Sequence, residues 1–253
     1  MELPAIHSVG PRVQIDSTIR RAQRLLTCML CAAGVAAVVL SQLKVYSPDW
    51  ERDIPHPMIA QGTLVTACLI GVLTFGWAVH HKRSAAVPSV IYALCQGVVI
   101  GALTIYVSSL FGKILLMSVG LTTVLVLLAL MISREQLYSP SLSLVRLIRR
   151  CVIGISLLYV VTALAQLQGV EIPWLYDNTP IGIAFSVSVA LLATAETFLS
   201  MEEIRSYEQD GAPAELEHFL ALDLIAGVVW IYVETVVLCF KWLMHRLAWG
   251  GAA

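Results

Sequence analysis

Seven long apolar runs dominate this sequence and restrict what the chain can fold into. Each run is close to the ~20 residues that a helix needs to cross ~30 Å of hydrocarbon. The chain is 58% hydrophobic and only 13% charged, a balance that soluble domains do not need. The sequence therefore predicts an all-α, polytopic membrane protein built as a seven-helix transmembrane bundle. The candidate spans are 23–43, 58–80, 88–111, 113–132, 147–168, 181–202 and 218–243.

The spans divide the chain into three parts and predict an orientation. We expect an N-terminal segment over 1–22, a transmembrane domain over 23–247 and a C-terminal tail over 248–253. Eleven of the sixteen lysines and arginines fall on the side of the N-terminus. Because such residues accumulate in cytoplasmic loops, we expect the N-terminus in the cytoplasm. The eleven are Arg12, Arg20, Arg21, Arg24, Lys82, Arg83, Arg134, Arg146, Arg149, Arg150 and Arg205.

The sequence carries none of the catalytic or metal-binding motifs that suit a membrane protein. Its six cysteines lie in apolar runs, where they behave as small hydrophobes, and the CxxC of Cys28 and Cys31 has no second pair. A retinal protein needs a mid-membrane lysine, and Lys241 is too near the end of the last span. No HExxH, Ser/His pair or GxGD setting indicates an intramembrane protease. We expect no enzymatic activity, no metal site and no cofactor.

Carboxylates in the last two spans are the clearest candidates for a functional site, because charge inside a membrane is costly. Asp223 and Glu234 are eleven residues apart, which places them on one face of the last span. Glu196, Ser200 and Glu203 follow an i, i+4, i+7 spacing and share a face of the preceding span.

Counting from the turn at Gly211 predicts two acidic levels. Glu203 and Asp223 lie at similar depth near the cytoplasmic boundary, whereas Glu196 and Glu234 form a looser inner pair roughly 9 Å apart along the axis. Neighbouring carboxylates in a low dielectric titrate as a unit, and they can hold a proton or bind a hard cation. The pattern therefore predicts a pH-sensitive gate on a cation path.

A purely structural interpretation of the acids is also open. Glu234 could be hydrogen-bonded by a tyrosine or an arginine for packing. If the acids instead line a pore, Gln96 and Tyr232 are its candidate polar partners in the bundle interior. Lys241, seven residues after Glu234, is expected to snorkel to the interface. Glu202 points about 100° away from Glu203 on the helix. Four acids could simply be solvated at helix ends. They are Glu202, Glu203, Glu215 and Glu217.

Small residues in the third span predict close helix packing. Gly97 and Gly101 form a GxxxG pattern, which lets helix backbones approach where lipid removes the hydrophobic drive for association. We expect these glycines to pack against another span.

Four segments beyond residue 80 carry motifs of a known family. They are KRSAAVPSVIYALCQGVVIGAL, SREQLYSPSLSLVRLIRRCVIGISLLYV, DNTPIGIAFSVSVALLATAE and GAPAELEHFLALDLIAGVVWIYVETVVL. In order and spacing they resemble the YccA-like branch of the Bax inhibitor-1 family of seven-span membrane proteins. The resemblance covers roughly residues 80–240, and the first 80 residues match only in hydropathy.

The resemblance implies a fold and a choice of two functions. It implies a seven-helix bundle with the last helix central, in a bacterial inner membrane, with an intracellular eukaryotic or viral membrane as the alternative. One implied function is a pH-sensitive leak of Ca²⁺ or H⁺. The other is a non-conducting regulator of membrane-protein quality control that binds a membrane protease or other membrane proteins.

The resemblance also implies a pair of acids, one on each of the last two spans. Glu234 stands where the acid of the last span is expected. On the preceding span Ser200 stands in place of an aspartate, and Glu202 follows at a position that is usually acidic. Gln96 stands where the branch often has glutamate. Two acids that lie outside the family pattern could compensate for these departures: Glu196 and Asp223.

Overall fold

A computed structural model describes residues 11–47, 52–55, 57–134, 141–167 and 178–250. Within these ranges the chain forms six α-helices and one short antiparallel hairpin. The helices are α1 (Ile15–Gln42), α2 (Pro57–His80), α3 (Ala86–Arg134), α4 (Leu142–Leu167), α5 (Pro180–Gln209) and α6 (Glu217–Gly250). Single 3₁₀ turns cover Lys82–Ser84 and Ala214–Leu216, and the hairpin pairs β1 (Lys44–Ser47) with β2 (Arg52–Pro55).

The predicted all-α, polytopic membrane architecture is confirmed. Six helical segments among the described residues are long and apolar enough to cross a membrane. They are Ile15–Gln42, Gly62–His80, Ala86–Ile105, Ile114–Ser133, Pro180–Gln209 and Ala214–Leu247. The predicted span 147–168 corresponds to α4, which is helical but is not among the six. The division into three parts stays a prediction, and residues 1–10 and 251–253 lie outside the described residues.

Helix α3 contains two of the predicted spans as two antiparallel arms. The hydroxyl of Thr104 lies 3.5 Å from that of Tyr232, and the hydroxyl of Thr122 lies 2.6 Å from that of Thr235. In a straight helix Thr104 and Thr122 would be about 27 Å apart, yet their partners are separated by only about 4.5 Å along α6. The chain of α3 therefore bends back between them. We call Ala86–Ile105 the first arm and Ile114–Ser133 the second arm.

Helix α6 is the centre of the bundle, as the resemblance implies. It packs against α1, α3 and α5, and half of its membrane-spanning segment is buried. Its fully buried side chains include Leu220, Leu222 and Ile231. At Gly227 the close contact is with α5, because an added Cβ would lie 2.6 Å from the Thr197 hydroxyl. The last helix is therefore held by neighbours along most of its length.

The turn between α5 and α6 marks one end of the bundle, which we call the turn end. Gly211 adopts a positive φ of 64°, which glycine tolerates without steric cost, and Pro213 precedes the 3₁₀ turn into α6. The segment before α1 lies here from residue 11 onward, since the N–H of Val13 donates to the carbonyl of Ala212 at 2.8 Å. The α2–α3 connection also lies here, with the Lys82 ammonium 4.5 Å from the centre of the Phe219 ring.

Candidate carboxylate site

A cavity of about 450 Å³ opens at the turn end between α2, α4, α5 and α6. Three of the predicted site residues line it: Glu196 and Glu203 from α5, and Asp223 from α6. Two basic residues line it as well, Lys82 from the α2–α3 connection and Arg149 from α4. The structure thus brings three acids and two bases into one cavity.

The outer acids, Glu203 and Asp223, share the cavity but have different partners. Glu203 forms an ion pair with Arg149 at the cavity mouth, where half of the arginine side chain is exposed. The carboxylate of Asp223 accepts a hydrogen bond of 2.7 Å from the hydroxyl of Ser200. Among the described residues the two carboxylates form no direct contact, so each is stabilised separately.

Glu196 lies deeper in the same cavity and has an unsatisfied oxygen. It is seven residues before Glu203 on α5, which places it about 10 Å further from the turn end. Its Oε2 atom is buried and has no hydrogen-bond partner among the described residues. A buried carboxylate oxygen without a partner is costly, so this atom is available to water, a proton or a cation.

Glu234 is the most buried of the acids predicted to form the ion site, with 3% of its surface exposed. Its Oε1 atom accepts a 2.7 Å hydrogen bond from the Tyr159 hydroxyl of α4 and a 3.1 Å hydrogen bond from Trp230 Nε1. It forms no hydrogen bond to a second carboxylate within the described part of the chain, so the predicted inner pair with Glu196 is not a contact. Trp230 lines the cavity and donates to Glu234, so it connects the cavity to this acid.

The family model described as Bax inhibitor 1 like matches residues 5–242. The chain belongs to the Bax inhibitor-1 family. No curated protein and no solved structure matches the chain. The family assignment agrees with the helical membrane fold and the central last helix.

The acid pair implied for the Bax inhibitor-1 family has a different composition in this chain. Ser200 stands where an aspartate is expected, and its hydroxyl donates to Asp223 rather than to Glu234. The same hydroxyl lies 3.2 Å from the backbone carbonyl of Glu196. A hydroxyl–carboxylate pair therefore joins α5 to α6 at this level, and Glu196 supplies a second carboxylate nearby.

Glu202 lies outside the cavity, in agreement with its predicted direction away from Glu203. It accepts hydrogen bonds of 2.9 Å from the Ser133 hydroxyl and from Arg205. Arg205 also donates to the backbone carbonyl of Ser133. This group ties the end of the second arm of α3 to α5, and it is separate from the carboxylate cavity.

The two predicted polar partners lie elsewhere in the bundle. Gln96 faces α2, where its Nε2 atom would lie 3.0 Å from a Cβ added at Gly71. Tyr232 faces the first arm of α3 through its contact with Thr104. Within the described part of the chain, neither residue forms a hydrogen bond to an acid of the cavity. The basic partners Arg149 and Lys82 were not predicted, because their acids lie far away in sequence.

The expectation that Lys241 snorkels to the interface is wrong. The side chain is 3% exposed, and its ammonium donates to the carbonyl of Gly182 at 3.2 Å and to the hydroxyl of Ser186 at 2.9 Å. Both acceptors belong to the start of α5. Their presence beside α6 lets the amine stay inside the protein, where it is hydrogen-bonded.

The expectation that Glu217 is a solvated helix end is also wrong. Its carboxylate is 2% exposed and accepts hydrogen bonds from the Gln14 N–H at 3.1 Å, from Arg21 Nε at 2.8 Å and from the Ser17 hydroxyl. Glu208 accepts from the Ile15 N–H at 3.0 Å. Two acids from the α5–α6 region therefore cap the start of α1, whose first N–H groups have no partner within the helix.

The hydrogen bond between Tyr159 and Glu234 provides a first prediction. Tyr159→Phe keeps the ring and removes one donor from a buried acid, so we expect a loss of about 1.5–3 kcal/mol of stability. Unfolding in detergent followed by circular dichroism measures it. Tyr207→Phe is the control, since the Tyr207 hydroxyl forms no hydrogen bond within the described residues. It should change stability by less than about 0.5 kcal/mol. Equal stability of the two variants would contradict the assigned role.

Proposed function

We propose that this member of the Bax inhibitor-1 family is a pH-sensitive cation leak, with Ca²⁺ or H⁺ as the transported ion. One observation supports the proposal above the others: Glu196, Glu203 and Asp223 share a cavity at the turn end, and one oxygen of Glu196 has no hydrogen-bond partner within the described part of the chain. Hard cations prefer carboxylate oxygens as ligands. The cavity therefore has the chemistry of an entrance for cations.

The ion pair at the mouth of the cavity supports a gate. Arg149 and Glu203 join α4 to α5, and the arginine places a positive charge where a cation would enter. Proton uptake by Glu196 or Asp223 changes the attraction of the cavity for a cation, so the leak depends on pH. Gating would require α4 to move relative to α5.

The deeper polar groups support a narrow path. Trp230 lines the inner part of the cavity and donates to Glu234, which also binds Tyr159. Trp230 and Glu234 therefore extend the row of polar side chains on α6 that begins at Asp223. Most of the other buried side chains of α6 are apolar, so a conducting path along the helix would be narrow and its flux slow.

Reconstitution into liposomes that contain a calcium dye tests the leak. We expect the wild-type protein to show Ca²⁺ flux that changes over roughly pH 6 to 8. Glu196→Gln should lose most of that pH dependence, because it removes the deepest carboxylate of the cavity. Glu202→Gln is the matched control, since its side chain faces Ser133 and Arg205 and not the cavity. Glu234→Gln tests whether the inner acid of α6 also affects the flux. Absence of flux from the wild-type protein at every pH would overturn the proposal.

The alternative function is a non-conducting regulator that binds a membrane protease or other membrane proteins. The exposed apolar surface of α4 favours it, with Leu142, Ile153 and Leu157 each more than 60% exposed. A partner helix could cover this surface in place of lipid. Co-purification of a membrane protease with the wild-type protein, together with no flux in liposomes, would favour this function over the leak.

We further propose the orientation and the setting of the protein. The turn end contains Arg12, Lys82, Arg149 and Arg205, and the positive-inside rule places such an end in the cytoplasm. The N-terminus would then be cytoplasmic, in a bacterial inner membrane. The protein would act without enzymatic activity and without a cofactor.

A further inference from the structure

A second cavity lies inside the membrane-spanning region, between α1, the two arms of α3 and α6. Its volume is about 490 Å³, which is within the range of sites that hold small ligands. It arises because α1 packs closely on the first arm at Gly101, whereas the second arm is bound to α6 through Thr122 and Thr235. The space between α1 and the second arm is left open.

The cavity has a buried floor and an exposed rim. On the floor, Met29 is 3% exposed and Val229 is 5% exposed. On the rim, Leu30 of α1 is 58% exposed and Val119 of the second arm is 48% exposed. Both rim residues lie in membrane-spanning segments, so the opening faces the bilayer. The cavity is therefore continuous with the surface that lipid already covers.

The chemistry of the walls selects an apolar occupant. Among the residues whose side chains the structure describes, no charged one lines the cavity, and the threonine hydroxyls of its walls already have partners in the protein. Thr122 donates to the Ser118 carbonyl at 2.8 Å, and Thr123 donates to the Val119 carbonyl at 2.8 Å. Little polar surface is left to bind a lipid headgroup. Apolar cavities of this kind exclude water and accept apolar molecules.

We propose that this cavity holds one acyl chain of a bilayer phospholipid, which enters between Leu30 and Val119 and extends to the floor at Met29 and Val229. The chain fills the gap between α1 and the second arm of α3, while its headgroup stays outside the cavity. This site is independent of the carboxylate cavity and of the proposed leak.

Photolabelling tests the proposal on the intact protein. The protein is reconstituted in vesicles of phosphatidylethanolamine and phosphatidylglycerol that contain a phosphatidylcholine with a diazirine near the end of one acyl chain. After illumination, labelled residues are mapped by mass spectrometry. We expect labels at the floor residues Met29, Ala33 and Val229, in addition to the outward-facing Leu73 of α2, which is 71% exposed. Labels at Leu73 without labels at the floor would overturn the proposal.

A cavity-filling variant provides a second test of the proposal. Gly34 lines the cavity and a Cβ added there meets nothing within 4 Å, so Gly34→Leu is the variant chosen to fill the cavity. We expect loss of the floor labels and retention of the label at Leu73. Gly154→Leu is the matched control, because Gly154 is equally open and lies on α4, away from the cavity. Floor labels that persist in folded Gly34→Leu would contradict the proposal, as would floor labelling by a free diazirine fatty acid but not by the phospholipid.

Discussion

Gly97→Leu is expected to prevent stable packing of α1 on α3. A Cβ at this position would overlap the backbone carbonyl of Met29 and would lie 2.7 Å from the Cβ of Ala32. Both contacts belong to the α1 helix itself, which cannot give way as a flexible side chain can. We therefore expect a loss of about 3 kcal/mol or more, at the upper end for overpacked sites.

The matched control for this substitution is Gly120→Leu on the same helix. A Cβ at Gly120 meets nothing within 4 Å, and the residue is exposed toward lipid. We expect this variant to unfold at or above the wild-type temperature. Thermal unfolding in detergent, followed by circular dichroism, compares the two. If Gly97→Leu unfolds at the same temperature as Gly120→Leu, the GxxxG contact adds little to stability.

Glu217→Ala is expected to release the start of α1 from the turn end. The substitution removes the acceptor for the Gln14 N–H and the Ser17 hydroxyl, and it leaves Arg21 without its carboxylate. Arg21 is one-third exposed and can recover part of its solvation, so we expect a loss of about 2–4 kcal/mol rather than the full value for a buried pair. Hydrogen exchange should accelerate in the first turn of α1.

Glu215→Ala is the control for the second prediction. Glu215 is two residues away, its side chain is 65% exposed, and its contact with Arg83 is 4.0 Å long. An exposed pair of this kind contributes little, so we expect a change below about 0.5 kcal/mol. If Glu215→Ala and Glu217→Ala lose the same amount of stability, the buried carboxylate does not hold the start of α1.

The sequence was sufficient for the architecture because membrane spans are defined locally. Length and hydropathy alone predicted the apolar helices, and the family motifs placed the last helix at the centre. The GxxxG pattern correctly predicted a helix contact at Gly97 and Gly101. What local patterns could not show was that the spans 88–111 and 113–132 belong to one bent helix, which only contacts such as Thr122 with Thr235 reveal.

The carboxylate site was only partly predictable because its partners are distant in the chain. Helical spacing and depth placed Glu203 and Asp223 in one region, and both line the cavity. Spacing and depth could not identify Arg149 as the partner of Glu203, or Tyr159 as the donor to Glu234, because both lie on α4. The roles of these acids in ion transport stay predictions.

The two wrong expectations share a physical cause. Lys241 and Glu217 were both treated as side chains that reach water, which is the usual outcome for a charge near a helix end. Each is instead buried, because a segment far away in sequence supplies hydrogen-bond partners: the start of α5 for Lys241 and the start of α1 for Glu217. Partners at such distances leave no local pattern.

The capping of α1 has a consequence for biosynthesis. Chains are made from the N-terminus, and early segments generally fold before late ones. The acids that accept from the Gln14 and Ile15 N–H groups, Glu217 and Glu208, follow about two hundred residues later. Helix α1 can therefore enter the membrane early, but its beginning is secured only after α5 and the start of α6 have emerged from the ribosome. A helix that is synthesised early is thus among the last to be completed.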